Sequence, residues 1–105
     1  MADLERRRSE RVVANIPVVA SGDSASGAFT EETQTLIVNV QGGLIPLAAS
    51  VSHGQVLLVR NRRTSEEQAC RVVYVGSSSE EKRHFGVTFS GRAPHFWGIP
   101  FPPAD

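Results

Sequence analysis

The chain has 105 residues, in which 11 lysine and arginine residues balance 11 aspartate and glutamate residues. This length suits one domain with a modest core, and the zero formal charge excludes a global basic field that would attract duplex nucleic acid or anionic lipid. The single cysteine, Cys70, excludes an internal disulfide, and the lack of a signal-like start or a spanning apolar run predicts a cytoplasmic protein that does not insert into a membrane.

The chain begins with an arginine-rich segment, which we predict to be flexible over residues 1–11. Four of the ten arginines lie in "RRRSER", residues 6–11, immediately before an apolar run that starts at Val12. Arginine favours planar, bidentate contacts with anions, and Lys82 is the chain's single lysine. Two interpretations stay open: a solvated terminal segment, or a clamp that holds an anion against the first strand.

Beyond Val12 the dominant period is two, which is typical of half-buried strands. Strands are predicted over residues 12–20, 33–40, 44–48, 56–61, 67–75 and 84–89. Pro17 places the first strand at an edge or a bulge. The polar segments 22–32 and 76–83 are predicted to be loops, and "QGG" at 41–43 to be a tight turn. We therefore predict an all-β domain over residues 12–90, a small barrel of six antiparallel strands.

The same alternation predicts which side chains fill the barrel. The predicted interior comprises Val12, Val18, Leu36, Val38, Leu58, Val72, Tyr74, Phe85, Val87 and Phe89. The tail, residues 91–105, contains prolines that exclude a regular helix or a central strand, so we expect it to pack extended on the barrel. Its aromatic side chains, Phe96, Trp97 and Phe101, would cap the open end of the core, or alternatively form a ledge for a partner.

The sequence lacks the patterns of a metal site or a catalytic centre. His53, His84 and His95 are far apart and show no ligand-like spacing, so no metal is predicted. A lone cysteine on a strand is more often a core residue than a nucleophile. Three pairs of neighbouring carboxylates fall in presumed turns, where nothing pairs them across a cleft for acid–base catalysis: Glu31 with Glu32, Glu66 with Glu67, and Glu80 with Glu81. We predict that the protein is not an enzyme and has no cofactor. RNA binding is disfavoured because the strands show no stacking aromatics beside the arginine segment.

Two short motifs resemble those of the PilZ domain family. Arg7 and Arg11, with three residues between them, match the arginine pair that precedes the family's first strand. Asn39 and Gly43 match the first and last positions of the family's second motif, which reads Asp or Asn, any residue, Ser, two residues, Gly. The turn here is one residue shorter, and Gln41 stands near the position of the serine. The resemblance extends from about Glu5 to the "HFGVTF" segment.

The resemblance implies a six-stranded antiparallel β-barrel and a bacterial receptor that binds the second messenger cyclic di-GMP and relays the signal to a protein partner. The implied ligand-binding residues are Arg7, Arg8, Arg11, Asn39, Gln41 and Gly43. Arginine suits this ligand because its guanidinium binds two acceptors of a guanine edge or two phosphate oxygens, and stacks on a base.

A second interpretation stays open for the whole protein and for the turn. The protein would then be an interaction module that keeps the barrel surface but has lost nucleotide binding. The turn would be a ligand-free hairpin in which Gly42 and Gly43 supply positive φ angles.

Overall fold

The computed structural model describes residues 11–79 and 81–101, and the regular structure within these ranges is β. The strands are β1 (Val12–Val13), β2 (Pro17–Ser24), β3 (Gly27–Gln34), β4 (Ile37–Asn39), β5 (Gly42–Leu47), β6 (Val56–Asn61), β7 (Glu67–Ser79) and β8 (Lys82–Phe89). They form one antiparallel sheet in the order β1-β4-β5-β8-β7-β6-β2-β3. No helical segment of the described residues has the length and apolar character that crossing a membrane requires.

The prediction of an antiparallel all-β fold is confirmed, but the number of strands and the closure differ. The sheet has eight strands within the described ranges, and its ladder does not close into a barrel. The edge strand β3 instead returns to β5 through side chains: Thr33 Oγ1 donates to the carbonyl oxygen of Pro46 at 2.8 Å. The Glu31 carboxylate accepts from the backbone N–H groups of Ala48 and Ala49. The sheet is therefore curled around its core without continuous backbone pairing.

Two segments predicted to be loops form β-hairpins instead. Residues 22–32 belong to the β2–β3 hairpin, whose turn is held by Ser24 Oγ donating to the carbonyl oxygen of Gly27 at 2.8 Å. Gly27 adopts φ 118°, a conformation that side chains disfavour. The second loop is replaced by the extension of β7 to Ser79 and its pairing with β8. Both segments are polar because they project beyond the core, so their composition hides their strand character.

Six of the ten residues predicted for the interior are buried, which confirms the alternation in most strands. They are Val18, Val38, Val72, Phe85, Val87 and Phe89. Val12 and Leu36 are partly buried. The predictions for Leu58 and Tyr74 are wrong, since these side chains are 41% and 55% exposed.

The two wrong predictions have different physical causes. In β6 four successive residues are apolar, and the inward pair is Leu57 and Val59 rather than Leu58. In β7 the pairing with β8 shifts by one residue between Val72 and Tyr74, which is a β-bulge. The bulge reverses the alternation, so that Tyr74 points outward although Val72, two residues earlier, points inward.

Two aromatic residues that follow the last strand cover one end of the core. Phe96 and Trp97 are almost fully buried, and their rings pack on Phe89 with centroid distances of 5.3 and 5.7 Å. Asn61 Nδ2 donates to the carbonyl oxygen of Phe96 at 2.8 Å, and Trp97 Nε1 donates to the carbonyl oxygen of Gly42 at 3.0 Å. These bonds fix the segment between the end of β6 and the start of β5.

Candidate functional site

Three of the predicted ligand-binding residues line one groove on the outside of the sheet. Arg11, Asn39 and Gly43 border this groove, which has a volume of about 430 Å³. Gln41 does not line it and is exposed on the adjoining turn. Arg7 and Arg8 lie outside the described residues. The arginine segment and the turn between β4 and β5, separated by 27 residues in sequence, therefore meet at one surface through Arg11 and Asn39.

The turn between β4 and β5 contains Val40 and Gln41, whereas the sequence predicted a turn at residues 41–43. Asn39 pairs with Gly42 across the turn, and Asn39 Oδ1 accepts from the backbone N–H of Gln41 at 2.8 Å. An asparagine that binds the backbone two residues ahead stabilises a tight turn. The carbonyl oxygen of Gln41 in turn accepts from the N–H of Phe89 at 2.7 Å, so the turn is anchored to β8.

Gly42 and Gly43 are required by close packing. The interpretation that they supply positive φ angles is wrong, because the described glycines with positive φ are Gly27, Gly54 and Gly98. A Cβ atom on Gly42 would overlap the carbonyl oxygen of Val87, and one on Gly43 would lie 2.9 Å from the carbonyl oxygen of Ile37. The paired strands approach so closely at this point that a side chain has no room.

An apolar row crosses five strands along the outer face beside the groove. Strand pairing places Val13 opposite Ile37, Ile37 opposite Leu44, Leu44 opposite Gly86, and Gly86 opposite Tyr74. The row ends on two strongly exposed side chains, Val13 at 82% and Tyr74 at 55%. The central residues of this row are also part of the groove lining, so the groove has an apolar floor.

The polar side chains of the groove carry hydrogen-bond donors that other described residues do not use. Arg11 is exposed and has no hydrogen bond or ion pair within the described residues. Asn39 uses its Oδ1 atom in the turn, which leaves the two donors of its amide nitrogen for other partners. The described lining contains no carboxylate. The groove is thus suited to an anion that also carries an apolar or aromatic surface.

Sequence reasoning missed Val73 and Tyr74 as lining residues. Val73 points outward by simple alternation from Val72, and the bulge in β7 turns Tyr74 to the same face, so both border the groove with 47% and 55% exposure. The sequence had assigned Tyr74 to the interior, and nothing in its immediate neighbours marks the bulge. Among the described residues, no cluster of three or more His, Cys, Asp or Glu side chains is close enough to hold a metal ion.

Comparison with known proteins identifies the fold. No family model and no curated protein matches the sequence. Solved structures with a similar fold include the Bacillus subtilis inhibitor of motility (MotI/DgrA), with TM-score 0.65 and 22% identity over 84% of this chain and 44% of that one. They also include Escherichia coli YcgR in complex with c-di-GMP, with TM-score 0.60 and 17% identity over 85% of this chain and 40% of that one. The chain spans less than half the length of either protein. Both are PilZ-domain proteins, and the resemblance read from the two sequence motifs is confirmed at the level of the fold: this chain has a PilZ-like fold.

Proposed function

We propose that this domain is a PilZ-type receptor that binds cyclic di-GMP and relays the binding event to a protein partner. The observation that carries the proposal is the groove that Arg11, Asn39 and Gly43 line together. These residues come from the two motifs that the resemblance assigns to the ligand. The similar fold of the YcgR structure, which contains c-di-GMP, supports the same assignment.

The chemistry of the groove fits a cyclic dinucleotide. Cyclic di-GMP carries two phosphates and two guanine bases, so it combines negative charge with flat aromatic surfaces. Arg11 would bind a phosphate or the acceptor edge of a guanine, and the amide nitrogen of Asn39 would donate to a second acceptor. Gly43 keeps the backbone low beneath the ligand. Arg7 and Arg8 would close over the ligand from the N-terminal side, with Gln41 at the rim.

Calorimetric titration with cyclic di-GMP tests the proposal. We expect heat on binding to the full chain, and Arg7→Ala and Arg11→Ala should each weaken binding by roughly 1.5–3 kcal/mol, the range for lost charge-assisted hydrogen bonds. Arg92→Ala is the matched control, because Arg92 is also exposed but does not line the groove. Thermal unfolding of all three variants should follow that of the wild type. The side chains of Arg11 and Arg92 make no hydrogen bond or ion pair within the described residues, so their removal costs no such contact.

One alternative has its own support in the turn. The Oδ1 atom of Asn39 is already bound to the N–H of Gln41, and Gln41 stands near the position where the family pattern has serine. A module that has lost the nucleotide and kept the outer face for a protein partner would have these features. Absence of binding heat for the wild type at high ligand concentration, with unchanged amide resonances for Asn39 and Gly43, would favour this alternative over the receptor.

A further inference from the structure

Tyr74 is the largest exposed apolar side chain at the groove, and its position depends on a local irregularity of β7. The bulge between Val72 and Tyr74 directs the side chain outward. The ring consequently borders the same groove as Arg11. A bulge costs regular backbone pairing, and such irregularities are often found where a side chain must be re-aimed.

The Tyr74 side chain lies over two glycines of the sheet. A Cβ atom on Gly86 would lie 3.0 Å from the Cβ of Tyr74, and one on Gly76 would lie 2.8 Å from its Cε2 and 3.1 Å from its hydroxyl oxygen. The side chain therefore extends along the sheet from Gly86 to Gly76, in space that larger residues would occupy. The ring thus lies close to the backbone of both glycines while 55% of the residue stays exposed, so contact with a ligand requires little rearrangement.

We infer that Tyr74 is a stacking platform for one guanine base of the ligand. This inference rests on the proposed function and adds a specificity-determining residue to it. The Tyr74 ring and the Arg11 guanidinium, which has no partner within the described residues, border the same groove. Together they offer a planar dinucleotide one contact for the face of a base and another for an acceptor edge or a phosphate. The apolar floor formed by Ile37 and Leu44 continues the surface on which the base would lie.

Stacking is favoured over a purely structural role for the ring. A purely structural role would need only apolar cover over Gly86, which leucine would also supply. An aromatic plane that opens into a concave, carboxylate-free groove has in addition the geometry for a planar ligand. A docked protein needs only a flat or convex apolar surface. This lining is concave and includes Arg11, which favours a small anionic ligand over a protein.

The test compares three variants by calorimetric titration with cyclic di-GMP. Tyr74→Leu keeps apolar cover over Gly86 but removes the aromatic ring, and should weaken binding about tenfold, within the range for loss of one base–aromatic stack. Tyr74→Phe keeps the ring and should stay within about twofold of the wild type. Leu58→Ala is the control, because Leu58 is also an exposed apolar residue of the sheet but does not line the groove; its affinity should equal that of the wild type.

Nuclear Overhauser effects on the wild-type complex provide an independent readout. Stacking predicts cross-peaks between the Tyr74 ring protons and guanine protons, and this measurement decides the question if Tyr74→Leu does not fold. Wild-type binding with an unchanged affinity for Tyr74→Leu, or without these cross-peaks, overturns the stacking role and leaves the receptor function standing. Absence of wild-type binding overturns the receptor function itself, and the stacking inference with it.

Discussion

At the scale of single residues, Gly42 shows how packing can demand a glycine without any unusual backbone angle. The residue lies in β5, has a buried backbone, and accepts a hydrogen bond from Trp97. A methyl group there would overlap the carbonyl oxygen of Val87 on the neighbouring strand. Relief would require β5 and β8 to separate, which would disturb both the groove and the segment that contains Trp97.

We therefore predict that Gly42→Ala lowers the free energy of unfolding by about 3 kcal/mol, the upper part of the usual range for overpacking. Gly91→Ala is the control. A Cβ atom on Gly91 would meet no atom closer than 4.0 Å, and this glycine does not have a positive φ, so its substitution should leave stability nearly unchanged. Urea denaturation of both variants measures the difference, and equal stabilities would contradict the packing explanation.

At the scale of elements, local sequence predicted strands well where one face is buried and the other is polar. The predicted bounds of β6 agree with the structure, and the strand content of β5, β7 and β8 was recognised. The phase of β6 could not be read from four consecutive apolar residues, and the bulge of β7 depends on its pairing with β8. The β2–β3 hairpin was missed because its strands are polar and its pairing is a tertiary property.

The candidate site was predictable in part for the same reason. Arg11, Asn39 and Gly43 could be proposed because short motifs mark them in the sequence. That they share a groove follows from the pairing of β1 with β4, which no local pattern reveals. Tyr74 could not be proposed, since simple alternation assigns its side chain to the core.

Asn61 at the end of β6 connects two elements through one buried amide. Its Oδ1 accepts from the N–H of Arg63 at 2.9 Å, and its Nδ2 donates to the carbonyl oxygen of Phe96. Since both partners would lose a hydrogen bond, we expect Asn61→Ala to reduce the free energy of unfolding by about 1–3 kcal/mol.

Asn15→Ala provides the comparison for Asn61→Ala. The exposed Asn15 also donates from its Nδ2 atom, to the carbonyl oxygen of Thr35 at 2.8 Å. Water can replace this bond, so the loss should be smaller. Chemical denaturation of both variants makes the comparison; similar losses would show that burial of the Asn61 amide adds nothing.

At the scale of the whole molecule, the curled sheet excludes water from a core that contains the single thiol. Cys70 is fully buried, and this burial raises the pKa of its thiol from 9.0 to about 12. The charged thiolate is disfavoured because it would lose its hydration without gaining a compensating partner. The raised pKa of the thiol therefore exists only while the core is folded, because unfolding exposes the thiol to water.

The raised pKa predicts a loss of stability in alkali. Above pH 9 the unfolded chain releases the thiol proton while the folded chain retains it until about pH 12. The unfolded state then binds fewer protons than the folded state, and the free energy of unfolding falls as pH rises through this window. Cys70→Ala removes the contribution, so the stability difference between the two proteins should change above pH 9 and stay constant below it. Urea titrations under reducing conditions at stepped pH measure this, and parallel curves throughout would refute it.

The hydrogen bond from Trp97 to Gly42 gives the protein an internal optical reporter. Trp97 is the single tryptophan of the chain, so its fluorescence has one source. The indole N–H is bonded at 3.0 Å to the residue that joins the β4–β5 turn to Gly43 of the groove. Any displacement of that turn alters the polarity around the indole, and with it the emission wavelength. A ligand that binds the groove and moves this turn is therefore expected to change the emission of unlabelled protein, at concentrations far below those that calorimetry requires.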